Sequence, residues 1–298
     1  MLTMCLPGAT SARDWRAGRG PLVRRPGFPI LVMVAVMSTG AAQQSALVRA
    51  RQLYNQQQYD AAIDAAVEAR KIAASVDVAS LVFARAHLER FRLTANAVDL
   101  GAARDALRQV NSTRLTSSER IELLIGLGEM LYLDDRCGAA AEQFDLAVAQ
   151  IDRADPNAGR ALEWWASALD RRAQLDPATD QQALYALILS RMEDELRRDA
   201  GSAVASYWVA AAARGVGDLQ RAWDAAIAGW VRARLAGDRS VALRADLDRL
   251  VRQAVIPERA LQTASPGDPQ QAAATMRAEW DRIKEQWADR YRPTPVLY

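Results

Sequence analysis

The segment ARAHLERF carries His87, the one histidine among the 298 residues. An imidazole is the usual general base near neutral pH. No motif places a serine or cysteine nucleophile beside it, so His87 reads as a residue of a helix surface or of a contact between two helices. Cys137 is the one cysteine beyond the N-terminal leader, and one histidine with one cysteine cannot build a standard zinc site. Cys137 itself reads as a small buried apolar residue rather than a redox thiol, which would have to be exposed. The acid runs Asp134-Asp135 and Glu193-Asp194-Glu195 lack the alternating spacing and the glycine of a calcium loop. They read as a turn and a solvated helix face. The segment GVGD at 215–218 reads as the turn inside a helix pair rather than a phosphate loop. The sequence therefore assigns no catalytic residue, no metal ligand and no cofactor, and the chain reads as a non-enzyme.

Contact chemistry is better represented. Trp164, Trp165, Trp208, Trp223 and Trp230 are indoles of the kind enriched where proteins meet partners. Trp223 and Trp230 read as core packing, whereas for Trp208 both roles stay open.

The elements that must position these residues are helices. The chain is half apolar, rich in alanine and poor in aromatics, a composition suited to closely packed helices. From Gln43 onward the apolar period is helical, and no run alternates like a strand. About a dozen helices are expected. Thr116 and Glu119 form a capping box. Asp155-Pro156, Asp176-Pro177 and Asp268-Pro269 each offer an N-cap carboxylate followed by a proline that needs no donor. Residues 262–271, QTASPGDPQQ, form the most linker-like stretch.

Residues 1–42 differ from the rest. Arg13, Arg16, Arg19, Arg24 and Arg25 precede FPILVMVAVM and then small residues up to Ala42, the order of an export signal. The run Phe28–Met37 is short for a membrane span, which takes roughly 20 apolar residues; retention as an anchor is the alternative. This leader holds five of the 38 basic and one of the 36 acidic residues. The remaining 33 and 35 give a net charge of about −2, which removes the electrostatic case for nucleic-acid binding. Initiation at Val23 would give a more compact leader.

Around the segment 126–156, Leu124, Leu127, Gly128 and Leu131 share one helix face, and Ala140, Phe144 and Ala147 share another. Gly128 and Ala140 lack bulk, so two backbones can approach closely while Phe144 fills the space toward the next pair. With Pro156, this run resembles a tetratricopeptide repeat. Two further segments match in part: Ala50, Leu53, Tyr59, Ala62, Ala66 and Ala69, and then Val209, Ala210, Gly217, Leu219, Ala222, Ala226 and Gly229. Weaker copies centre on Ala103 and Ala183. The key alanines are then Ala62, Ala103, Ala140, Ala183 and Ala222. Their spacing exceeds the family's repeat of about 34 residues, which implies longer helices or loops.

The resemblance implies an all-α solenoid of about five antiparallel helix pairs over 43–263. A linker, capping helix and short tail follow at 264–298. It also implies that the first helix of each pair lines a concave groove holding a protein or peptide partner. Arg51, Tyr54, Asn55, Glu129, Tyr132, Tyr207, Trp208 and Arg214 are the expected partner-binding residues. The family's carboxylate clamp of lysine, arginine and asparagine does not assemble from these positions. The functional expectation is a non-catalytic scaffold or adaptor of a bacterial envelope, periplasmic or secreted. It would bind neither nucleic acid nor cofactor, and membrane only if residues 1–42 are retained. The alternatives are a membrane-anchored component of an assembly or secretion machine, and an enzyme or ligand-binding protein on the same scaffold.

At the C-terminus, Met276, Trp280, Ile283, Trp287 and Tyr291 form one apolar stripe, with Pro293 and Pro295 ending the helix. A cap that buries Trp280 and Trp287 is expected here.

Overall fold

The computed structural model describes residues 38–175, 178–263 and 268–288, with side chains from residue 46 onward except at 178 and 179. These residues form thirteen α-helices and no strand. The helices are α1 Ser38–Asn55, α2 Tyr59–Arg70, α3 Val76–Thr94, α4 Ala97–Gln109, α5 Ser117–Leu133, α6 Cys137–Gln150 and α7 Ala158–Leu175. They continue with α8 Ala178–Arg198, α9 Ala203–Gly215, α10 Leu219–Arg232, α11 Ser240–Leu250, α12 Ile256–Thr263 and α13 Pro269–Gln286. Helices α1 to α11 each pack on their chain neighbours, α12 packs on α13, and each odd-numbered helix from α1 to α9 also touches the next odd-numbered one.

Local chemistry sets many boundaries. The capping box before α5 forms as expected: Thr116 accepts from the Glu119 amide, and Glu119 accepts from the Thr116 backbone N–H. Asp268 caps α13 by accepting from the Gln270 amide, with Pro269 at the first helical position. Asp155 behaves differently. It accepts from the Asn157 amide in a turn, and α7 starts only at Ala158. Asp176 and Pro177 lie outside the described residues. The turn between α9 and α10 uses Gly217 at φ +86°, where a side chain would be strained, and Asp218 caps α10 through the Arg221 amide.

Packing inside the α5–α6 pair follows residue size. A Cβ built on Gly128 would stand 2.6 Å from the Phe144 ring, so glycine is what lets that ring lie against α5. Phe144 is fully buried and stacks on Trp164 of α7, with centroids 5.7 Å apart and planes at 16°. The expectation that Phe144 reaches the next pair is met. Ala62, Ala103, Ala140 and Ala222 are likewise fully buried.

Ala183 corrects the pattern: it is exposed. The buried stripe of α8 is Tyr185, Ile188, Leu189 and Met192. Gly215 of α9 makes room for it, since a Cβ there would lie 2.3 Å from the Tyr185 ring. The bulky residue thus turns inward and the alanine outward. The long spacing between repeats is taken up by helix length, with 18 residues in α7 and 21 in α8.

After α10 the chain runs through a 3-10 segment, Ala233–Arg239, into α11. A π turn at Val251–Val255 joins α11 to α12. Pro257 follows within α12. Proline has no N–H and clashes with the preceding turn, and the wider π turn, with the Ile256 amide bonded to the Val251 carbonyl, accommodates it. The linker-like stretch is shorter than expected, because α12 extends to Thr263 and α13 begins at Pro269.

The C-terminal helix docks. Trp280 is fully buried, with its ring 5.9 Å from Trp223 and 5.5 Å from Trp230. Its indole N–H donates to Asp248 of α11 at 2.8 Å, and Lys284 donates to the same carboxylate oxygen at 2.7 Å. Met276 and Ile283 pack partly buried beside it. Trp287 departs from the expectation at 46 % exposed. It stands just past the last helical residue, Gln286, where the stripe has passed the face that α13 shares with the core. Tyr291, Pro293 and Pro295 lie outside the described residues, as does Phe28–Met37 of the leader. Helix α1 runs through the expected cleavage point between Ala42 and Gln43. No helix of the described residues is long and apolar enough to cross a membrane.

Candidate functional site

A polar cluster lies along the odd-numbered helices α1, α3, α5 and α7. Tyr54 of α1 lies under the Arg85 guanidinium of α3, which stands 5.0 Å from the ring centroid. One turn further along α3, Glu89 accepts from Arg92 at 2.8 Å and from Arg160 of α7 at 2.6 Å. Arg160 also donates to Glu129 of α5 at 3.2 Å. Glu129 is only 2 % exposed, and its carboxylate holds Arg160 above the usual guanidinium range against the opposing effect of burial. Arg92 covers the Trp164 ring at 5.3 Å. The Tyr132 ring of α5 meets Trp164 edge-on at 5.0 Å, and Arg171 of α7 covers Tyr132 at 5.5 Å. Burial raises the Tyr132 phenol, opposed by the hydrogen bond and charge of Arg171.

Four helices thus present one continuous belt of guanidinium groups, carboxylates and aromatic rings. Such a belt can recognise the polar and apolar groups of an extended partner. It holds no nucleophile with a base beside it. Among the described residues, no group of three potential metal ligands occurs.

The expected partner-binding residues divide between two places. Tyr54, Glu129 and Tyr132 belong to the belt. Arg51 sits at its edge, 3.6 Å from Glu119 and 4.0 Å from Glu122 of α5. Asn55 is exposed one turn beyond Arg51. The α9 residues do not join them. Trp208, left open by the sequence, is buried, and Tyr207 meets it edge-on at 5.4 Å. Arg214 is drawn to the C-terminal segment, where its Nε donates to both oxygens of Glu258 of α12 at 3.0 and 2.9 Å.

Sequence reasoning missed Arg85, Glu89, Arg92 and Arg160. The second repeat was located only by Ala103 in α4, so the groove-facing positions of its first helix, α3, were never read. The 3.6-residue period placing Arg85, Glu89 and Arg92 on one flank of α3 was the available signal.

His87 and Cys137 follow their structural readings. Cys137 is buried, and its surroundings push the thiol up. His87 is buried too. Its Nδ1 lies 2.7 Å from Asp99 of α4, and Arg90 bonds the same carboxylate oxygen and reaches Asp60 of α2 at 2.7 Å. The group staples three helices. Burial lowers the His87 pKa, against the pull of the Asp99 hydrogen bond.

The unfolded chain therefore binds a proton at this residue more readily than the folded one. The resulting stability is fully present above the unfolded pKa, about 6.5, and is lost as pH falls toward the folded value. With one histidine in the chain, melting temperature is expected to fall between pH 7 and 5. In His87→Phe that fall is expected to shrink, although the variant is less stable at pH 7. Equal slopes for the two proteins, measured by circular dichroism melts, would count against this assignment.

No family model matches the chain, and no curated protein matches it either.

Proposed function

We propose that the chain is a non-catalytic protein-binding scaffold, a helical-repeat solenoid resembling the tetratricopeptide class. In this reading an extended protein or peptide lies along the face of α1, α3, α5 and α7. The observation that carries the reading is the belt from Tyr54 through Glu89, Glu129 and Arg160 to Trp164, assembled from four helices. Successive pairs bury their own core and leave the first helices to form one long surface. The order of residues 1–42 supports export to a bacterial envelope, with the partner met there.

The test must spare the fold, and Tyr132 is too deeply packed for truncation to be informative. Arg51 and Asn55 are better sites, because Asn55 is exposed and the ion pairs of Arg51 are long. Exposed pairs of this kind contribute about 1 kcal/mol or less. Arg51→Glu with Asn55→Trp is expected to cut recovery of a partner from envelope extract by about 10-fold, equivalent to about 1.4 kcal/mol, with helicity and melting temperature retained. Undiminished recovery by the folded variant would place binding on another surface.

A further inference from the structure

At the C-terminal end of the stack, α12 and α13 border an open groove of about 610 Å³. It arises from residue size. Ala260 of α12 and Ala273 of α13 are buried and line it, and their short side chains leave space that larger ones would fill. Leu261, 69 % exposed, and Pro257 line the α12 side. Positions 257, 260 and 261 share one face of that helix, at intervals of three and four. Pro269 borders the groove where α13 begins. Neither proline has a backbone N–H, so at both positions the lining offers carbon and no main-chain donor. The polar lining comes from Gln270 and Arg277 of α13.

Arg277 is the charged residue of this lining, and it is exposed. The acids around it are engaged elsewhere. Asp281, one turn further along α13, pairs with Arg252 and Lys284. Glu258, next to Pro257, is held by Arg214. Asp268 accepts from the Gln270 amide as the cap of α13. Among the described residues, none forms an ion pair with Arg277. The groove therefore sets one available guanidinium beside an apolar floor.

We propose that this groove binds a small amphipathic anion, an acyl or alkyl chain that ends in a carboxylate or phosphate. The chain lies over Ala260 and Ala273 against Leu261. The head accepts from the Arg277 guanidinium, and the Gln270 side chain offers a second donor. Clefts that hold small molecules enclose about 300–1,000 Å³, with a mostly apolar lining and a few polar groups that fix orientation. Charge argues against the chain's own C-terminal segment as the occupant, because that segment carries Arg290 and Arg292, like in sign to Arg277. The groove lies apart from the face of α1, α3, α5 and α7, so the proposal stands independently of the scaffold reading.

Isothermal titration of the full chain with sodium octanoate, octanol and octyl phosphate tests it, with Arg277→Gln and Leu261→Gln as variants. Both residues are exposed, so both variants are expected to melt with the unaltered protein. Octanoate is expected to bind the unaltered chain about 10-fold more tightly than octanol. Arg277→Gln should abolish that preference. Leu261→Gln should weaken both ligands and keep it. Octyl phosphate separates the two heads: binding tighter than octanoate assigns a phosphate-headed lipid, and weaker binding assigns an acyl carboxylate. No binding to any of the three proteins overturns the proposal, and so does a preference for octanoate that survives Arg277→Gln. Sedimentation tests the other occupant. A dimer of the unaltered protein that Leu261→Gln dissociates and octanoate does not would give the groove to a second copy and overturn the ligand assignment.

Discussion

Gly128→Ala is expected to lower stability by about 1–3 kcal/mol, a large effect for one methyl group at a helical position where alanine is otherwise the better residue. Helix propensity alone predicts a gain of about 1 kcal/mol. The sign reverses because three ring atoms of Phe144 lie 2.6–2.8 Å from where the methyl carbon would go. The ring cannot simply retreat, since its far face stacks on Trp164. Phe144→Ala alone is expected to cost about 3–5 kcal/mol through lost burial and a cavity. The double variant should cost less than the sum, because the new methyl enters space that the ring has left. Denaturant midpoints of the four proteins decide it. Strict additivity would mean that the α5–α6 contact is not built on this glycine.

Trp280→Ala is the second expected large effect, about 3–5 kcal/mol. The indole fills the joint between α10 and α13, touching Trp223 and Trp230, and its N–H anchors α13 to Asp248. Asp248 retains donors from Lys284 and Arg252, so no carboxylate is stranded and the cost is mainly apolar. Trp287→Ala should be nearly neutral, given the exposure of that residue. Truncation after Thr263 is expected to act as the stronger version of Trp280→Ala. It bares the apolar face of α10 and α12, lowering thermal stability and promoting aggregation, as loss of a terminal cap does in stacked helices. A truncated protein that melts like the full chain would instead mark α13 as an appendage with little part in the core.

These two contacts differ in how far they could be read from sequence. The glycine, the two alanines and Phe144 lie close together in the chain, and their spacing sets them on the facing sides of two adjacent helices. The position of α13 was also legible, since its apolar stripe needs a partner surface. Where the stripe stops being covered was not: Trp280 and Trp287 look equivalent on a helical wheel, and only the length of the surface beneath them separates one from the other. Ala183 failed for a related reason. The pattern expects an alanine where two helices meet, but Gly215 on the neighbouring helix concedes the space and Tyr185 takes it.

The polar belt was the least legible part. Tyr54, Glu129 and Tyr132 were reached through the repeat resemblance, but their partners Arg85, Glu89 and Arg160 were not. Glu89 and Arg160 are 71 positions apart, and no local interval records their contact.

The sequence by itself determined where helices start and stop and which side of each is apolar, because caps, prolines and the 3.6-residue period act within a few residues. It also determined that helices should pair closely where glycine and alanine recur. The tertiary structure alone decided which charges meet and which tryptophans are covered. Those outcomes depend on distances between helices, and a helix's period fixes the direction of a side chain without fixing what stands opposite it.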